Sequence, residues 1–456
     1  MGYSHGMFRI ALSLYAALFL FPFLGESAPV PKASLQFGDV SVLPDETAAL
    51  QKQIDNSKGT LLLAPGVHRI TSTLSFKLTQ SRSCIIRPAS GAATLIMDGA
   101  GPAIRVEGSH QGTASPKSFD VKTWNERMPI IEGIEIVGNH PEADGIELFQ
   151  TVEPVVSRVA VRWCRHGIRL AERNRNVTIS DVHLYENQGV GLYLDDVNLH
   201  QINVSNSHIS YNRSGGIVVR DGNVRNLQIT GCDIEGNMPA DDTSTSVANI
   251  HLDVSGSKGD RTKSIAEVAI TGCTIQHSSN YSGKDYDALA PGGANIRLSG
   301  KEIWPIDSVT ISGNVISDTS LNIEITGSTD VTVSGNTLFA PNPDNLRIAE
   351  SKRVVVSGNT FNPRQFERPG RIRIENSSDC IISNCTFRAL DTPDGAIIIE
   401  GSERILMNGN ILTECSSGVL VKDSSDISLK NWIVSGLPEG VPFLRKEGET
   451  KNVVTD

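Results

Sequence analysis

The sequence predicts an all-β fold, one chain wound into a parallel β-helix solenoid, and three observations carry that prediction. A motif recurs about once per two dozen residues: Val309-Thr310-Ile311-Ser312-Gly313-Asn314-Val315-Ile316, then Asn322-Ile323-Glu324-Ile325. It returns at 331–338 with Leu346-Arg347-Ile348, and at 354–361 with Ile372-Arg373-Ile374. A unit this short cannot bury its own apolar face, so successive units must stack and share a core. Each unit holds three short strands that alternate inward and outward. That describes one coil of a parallel β-helix, and neither a propeller blade nor a helical hairpin.

Taken in chain order, Arg9, the apolar run 10–24 and the small residues Gly25 and Ser27 read as a secretory signal peptide over 1–27. The run is too short for a membrane span, so the mature protein is expected outside the cytoplasm, extracellular or periplasmic, with no span left after cleavage. Residues 45–54 then read as a short amphipathic helix, with Asp45 as N-cap and an acidic first turn. A helix here caps the open end of a solenoid. A strand at 60–63, the turn Ala64-Pro65-Gly66 and a strand at 67–70 follow. The expected organisation is therefore signal peptide 1–27, N-terminal cap and first coils 28–108, β-helix 109–436 and a C-terminal tail 437–456.

The Asp-Glu-Thr-Ala-Ala-Leu helix before a Pro-Gly turn resembles the N-terminal region of pectate-lyase-superfamily proteins. The Ser-Gly-Asn coils likewise resemble their right-handed parallel β-helix region. The resemblance implies a single-stranded right-handed parallel β-helix over nearly all the mature chain. It implies no particular reaction, because that scaffold hosts lyases, hydrolases, epimerases and non-catalytic proteins. Of the polygalacturonase-like pattern, Asp195-Asp196 matches one element, but His166-Gly167 precedes it and no Arg-x-Lys follows. The Asp-Pro-His-Asp signature of alginate epimerases is absent as well. No catalytic assignment transfers from either.

Composition narrows the partners. A net charge of −10 without a basic patch excludes nucleic acid and disfavours an anionic membrane surface. Seven cysteines at irregular spacing form neither a disulfide framework nor a metal cluster. Cys232, Cys273 and Cys385 fall where other coils have Asn314, Asn336, Asn359 and Asn410, so they are expected as buried, stacked thiols. The asparagines are expected to bond the backbone at a bend. Asn176, Asn203 and Asn376 begin Asn-x-Ser/Thr triplets.

The third strands align on the pairs Gly145-Ile146, Gly167-Ile168, Gly191-Leu192, Gly216-Ile217, Asn249-Ile250, Asn295-Ile296, Asn322-Ile323 and onward to Gly418-Val419. Their spacing is 22 to 27 residues, except for 33 before Asn249 and 46 before Asn295. The excess goes into loops at 238–247, 255–264 and 277–293, with a smaller one at 300–305; a separate excursion at 108–128 carries Trp124. Insertions of this kind wall a binding face.

With period two, the first outward position of the third strand runs Glu147, Arg169, Tyr193, Val218, His251, Arg297, Glu324, Arg347, Arg373. The second runs Phe149, Ala171, Asp195, Arg220, Asp253, Ser299. The middle coils thus gather an Asp/His/Arg cluster under the long loops. Asp195 and Asp253 lie two coils apart, about 9.6 Å by strand spacing, near the carboxylate separation of an inverting glycosidase. In that reading His251 orients one acid, and Asp196 and Asp221 assist from the following turn. In a second reading, Arg220 or Arg297 neutralises a uronate carboxylate for β-elimination, with calcium as an optional ligand of Asp195, Asp196 and Asp253. No lysine occupies this cluster, which disfavours a lysine base. Alternating charge on an exposed strand face is also ordinary cross-strand pairing.

The expected function is cleavage of glycosidic bonds in a polysaccharide, acidic before neutral, by carboxylate hydrolysis or β-elimination. Asp195, Asp253, His251 and Arg220 are the catalytic candidates; Tyr193, Arg297, Asp196, Asp221 and Arg169 are the substrate-binding ones. Asp233 and Glu235, outward on a second strand, form another candidate pair, and His166 and Asp144 read as turn residues. The sequence establishes no cofactor, and calcium held by Asp195, Asp196 and Asp253 is the one candidate. The alternative is a non-catalytic glycan-binding or cell-surface protein using the same groove.

Overall fold

The computed structural model describes residues 32–239, 244–257, 260, 262–278, 290–303, 305–364 and 369–455. The signal peptide expected at 1–27 and most of the loop at 277–293 lie outside them. Each coil contributes three strands, as the repeat requires. The second faces stack into a 14-stranded parallel sheet. The first and third faces together make a 27-stranded sheet, joined because Ile168–Ser180 and Leu192–Ser205 run unbroken around the corner between them. Inward Ile, Val and Leu side chains from all three faces meet in one continuous core.

The repeat motif has a local cause at every position. Its glycine makes the bend between the first and second faces: Gly313, Gly335 and Gly358 have φ of 64, 63 and 64°. A Cβ at these positions meets no other atom, so conformation and not space selects glycine. Other coils use Asp181, Asn206, Asn384 and Asn431 at the same bend, residue types that tolerate it. The asparagine that follows turns inward. Asn314 Nδ2 donates to Asn336 Oδ1 at 3.0 Å, and Asn336 Nδ2 to Asn359 Oδ1 at 3.0 Å. Cys232, Cys273 and Cys385 occupy this column as buried free thiols, as expected.

A longer asparagine column runs along the corner before the third face, where no uniform motif marks it. Asn187, Asn212, Asn237, Asn249, Asn295, Asn322 and Asn345 donate each to the next at 2.7–2.9 Å. All seven are fully buried.

The N-terminal helix is Thr47–Asn56. Leu50 and Ile54 close the core, and Gln51 exchanges hydrogen bonds with the Ser75 backbone at 2.9 and 3.1 Å. It starts two residues later than expected and has no acid in its first turn. Asp45 instead accepts from the Thr47 hydroxyl and the Thr71 hydroxyl, each at 2.6 Å, and from the Thr47 N–H at 2.9 Å, which holds its carboxyl down at about 2. An additional helix at Lys32–Phe37, absent from the sequence reading, brings Ala33 and Val40 onto Ile96 and Val137 of the second face. The segment expected as a tail also differs. Leu444–Glu447 pairs with Val419–Lys422, and Lys451–Thr455 pairs along Ser425–Lys430, so 437–455 forms a further coil.

Candidate functional site

The third face carries the predicted columns in register. Arg169, Tyr193, Val218, His251, Arg297 and Glu324 are successive Cα partners. Ala171, Asp195, Arg220, Asp253 and Ser299 form the second column. Loops border both sides of this face. The excursion at 108–128 folds back through Ser109, whose N–H and hydroxyl both donate to Glu126 at 2.7 Å, and Arg173 holds the Gly112 carbonyl at 3.0 Å. Lys301, buried, donates to Ser257 Oγ, Asp260 O and Lys263 O at 2.8–3.0 Å and so ties down the loop after Asp253.

Most of the charge along the face is consumed by the protein itself, in two networks. One runs from Arg105 through Glu147 to Arg169 and Asp195: Arg169 reaches Glu147 at 2.6 Å and Asp195 Oδ2 through Nε and Nη2 at 2.9 and 2.6 Å. The other joins Arg297, Glu324, Arg347, Glu375, Arg373 and Asp344 with contacts of 2.5–2.9 Å. Between them the chain of ion pairs is interrupted. Arg220 stands in the gap, exposed, with no ion-pair partner among the described residues. A guanidinium left without an ion pair among the described residues can donate its N–H groups to a ligand carboxylate.

The groups around Arg220 differ in protonation for stated causes. Burial pulls the His251 imidazole down to about 4; Asp253 opposes this, while Arg297 and Arg220 add to it. Its Nε2 lies 3.0 Å from Ser299 Oγ and 3.9 Å from Asp253. Burial, then the adjacent Asp195 carboxylate, pushes the Tyr193 phenol up to about 12. At neutral pH the site therefore offers a neutral imidazole and a protonated phenol two rungs apart, with the buried Val218 between them. Asp253 Oδ1 accepts from the Ser255 N–H at 3.0 Å and hydroxyl at 2.7 Å.

Several expectations are corrected here. Arg297 is not available to a ligand: its guanidinium is spent on Glu324 and the carbonyls of Ser246 and Gly292. It clamps the insertion loops. Asp195, Asp196 and Asp253 do not converge on a calcium cage; Asp195 is taken by Arg169, Asp253 by Ser255, and Asp196 by Lys263. No group of three metal-ligating side chains comes together among the described residues. Lys263 thus brings to the rim the lysine that sequence reasoning placed nowhere near. Asp196 and Asp221 occupy left-handed bends with φ of 45 and 55°, and Asp221 Oδ1 is buried without a hydrogen-bond partner.

His166, read as a turn residue, lies against Tyr193 with ring centroids 5.1 Å apart. Its Nδ1 accepts from the Val190 N–H at 3.1 Å, so the proton sits on Nε2. Asp144 sets this geometry by accepting from the His166 N–H at 3.1 Å and pairing with Arg165 at 2.6 Å. Period-two alternation carried no signal for His166, which lies in the turn before the strand Ile168–Ser180.

The second candidate pair lies elsewhere. Asp233 and Glu235 point outward on the second face around the buried Ile234. Asp233 lies 3.5 Å from His208, and Glu235 3.2 Å from the Tyr211 hydroxyl. Both are partly exposed, the setting of a solvated sheet surface.

The family model described as "Right handed beta helix region" matches residues 95–259 and 258–434. The chain belongs to this right-handed β-helix family. No curated protein sequence matches it. Among solved structures, it is similar to the A-module of the mannuronan C-5 epimerase AlgE4 of Azotobacter vinelandii, at 13% identity over 90% of this chain and 96% of that one, with a TM-score of 0.44. It is similar to the surface protein and adhesin PfbA of Streptococcus pneumoniae at 13% identity, 91% and 97% coverage and TM-score 0.46. Tailspike protein 3 of bacteriophage CBA120 follows at 12% identity, 91% and 60% coverage and TM-score 0.48. The likeness is one of fold. No helix among the described residues is long and apolar enough to cross a membrane.

Proposed function

We propose that this β-helix protein, exported as the 1–27 segment implies, cleaves glycosidic bonds of an acidic polysaccharide by β-elimination on its third face. The observation that carries the reading is the break in the ion-pair chain, which leaves Arg220 uncommitted beside a neutral imidazole and a protonated phenol. Arg220 pairs with a uronate carboxylate and takes up the charge that develops when the neighbouring proton leaves. The C5–H bond breaks, with its proton passing to the nitrogen of His251 not engaged by Ser299. The electron pair forms the C4–C5 double bond, the C4–O4 bond breaks, and Tyr193 protonates the departing oxygen. Solvent returns the proton from His251 to Tyr193, so no oxidant or reductant is needed.

Hydrolysis fits less well. An inverting glycosidase needs one carboxyl as proton donor. Asp195 instead accepts two hydrogen bonds from Arg169, and Asp253 accepts two from Ser255. Both arrangements suit carboxylates. The test is to incubate the protein with polymeric uronates and follow reducing ends together with the ultraviolet absorbance of unsaturated uronides. Both signals rising, and both lost in Arg220→Ala, supports elimination. Reducing ends alone indicate hydrolysis, and binding without either signal makes the groove a glycan-holding surface.

A further inference from the structure

On the first face, three consecutive rungs present amides where most other rungs present charge. The left-handed bend within this face is occupied by Glu153, then Asn176, Gln201 and Asn226, then Glu267, and further on by Asp330, Arg353, Asp379, Arg404 and Asp426. The adjoining outward column changes on the same rungs, where Thr178, Asn203 and Gln228 are Cα partners. Asn176, Thr178, Gln201, Asn203, Asn226 and Gln228 together line a trough of about 470 Å³. Asn226 donates to Glu267 at 2.5 Å. Among the described residues, the amides of Gln201, Asn203 and Gln228 have no protein partner, and Asn176 Oδ1 is buried with none.

The trough lining is uncharged. Arg175, His200 and Arg225 precede the three bend residues, but both guanidinia are turned along the ladder. Arg175 donates to Asn198 O and Oδ1 at 2.8 Å, and Arg225 to Ser264 O and Oγ at 2.8 and 2.7 Å. A carboxylate or sulfate, which only accepts, finds no free cation there. A polypeptide strand finds no edge, because every rung is paired on both sides. Amides both donate and accept in one plane, and so do neighbouring hydroxyls on a sugar ring.

We infer that this trough is a second carbohydrate site, specific for an uncharged saccharide segment and separate from the acidic-glycan groove on the third face. It holds a neutral chain without reacting with it, since no titratable side chain lines it. The experiment is calorimetric titration of the full chain, made in a bacterial host, with neutral hexasaccharides of glucose, mannose, xylose and galactose, and with hexagalacturonate. At least one neutral hexasaccharide is expected to bind. The double variant Asn203→Ala/Gln228→Ala weakens that binding about tenfold or more, the loss of one to two hydrogen bonds, and Arg220→Ala leaves it unchanged. Both side chains are exposed, so the variant is expected to fold, as its unfolding temperature will show. Absence of binding to every neutral hexasaccharide, binding that survives the double variant, or capture of extended peptides in place of saccharides each overturns the proposal. Loss of uronate cleavage in Arg220→Ala with neutral binding intact separates the two sites.

Discussion

Arg220 concentrates the chemistry of the third face, because both of its aspartate neighbours are engaged elsewhere. Arg220→Ala is expected to lower kcat/KM on a polyuronate about a hundred- to a thousandfold, the usual cost of removing one charge-stabilising donor. Thermal stability should not move, since no contact among the described residues depends on it; a matching loss of stability would assign Arg220 to the scaffold. His251 gives a prediction in pH. Its folded value is about 4 and its unfolded value about 6.5. Between these the unfolded chain binds a proton that the folded chain refuses, so stability is full above about 6.5 and falls as pH drops towards 4. The loss is on the order of 3 kcal/mol. Denaturant unfolding between pH 4 and 7 should show this slope, partly flattened in His251→Asn; burial also pulls His277 down to about 4 and lowers His110, His166, His183 and His200, which add to the remainder with the same sign. Activity should likewise hold down to about pH 5 and fall below it. The positions of Asp195, Arg220 and Asp253 could be read from period-two alternation alone. Which of them is uncommitted could not, because that depends on how long side chains reach across rungs.

The bend and the ladder behind it separate two causes of stability at adjacent residues. Gly335→Ala places a Cβ in open space but at φ of 63°, so its cost should be about 1–2 kcal/mol. Asn336→Ala strips buried partners on both sides: the Asn314 N–H and amide lose the oxygen they donate to, the Ile311 carbonyl loses a donor, and Asn359 Oδ1 keeps only the backbone N–H of residue 336. That change should cost more, about 2–4 kcal/mol. Equilibrium urea unfolding of the two variants ranks them, and equal costs would refute the ladder's energetic role. This column was legible because its asparagine follows Ser-Gly in coil after coil. The second column was not. Asn187, Asn212 and Asn237 come just after a second-face strand, whereas Asn249 and its successors open a third-face strand. Insertions let one spatial column be filled from two places in the repeat, which a one-dimensional alignment separates. At the rim, Lys301→Met should free the loop around Asp260 and raise its cleavage by a protease several-fold, the core coils remaining protected.

For the molecule as a whole, each coil depends on its neighbours, so protection should vary along the axis. The helix Thr47–Asn56 closes one end. At the other, Ile433, Val434 and Val454 remain 62%, 36% and 53% exposed. Amide hydrogen exchange is expected to be fastest in Leu444–Glu447 and Lys451–Thr455 and slowest in the middle coils; uniform protection would contradict the stacked-coil picture. Those last strands escaped the sequence reading because they are polar and lack the Ser-Gly-Asn signal, and only pairing with the coil before them makes them strands. The parallel solenoid followed from the repeat, and the right-handedness from the resemblance of its coils to those of the pectate-lyase superfamily. The burial of Arg297 did not, since insertions far away in sequence cover it.

The longer asparagine column also has a direction. In all six amide–amide bonds from Asn187 to Asn345 the donor N–H lies on the N-terminal side and the accepting oxygen on the C-terminal side. Seven amide dipoles in a row therefore add rather than cancel, and each bond polarises the next. The solenoid carries an internal electrical axis, so a coil grafted into its middle must bring its own asparagine or sever the current of alignment into two shorter, weaker runs.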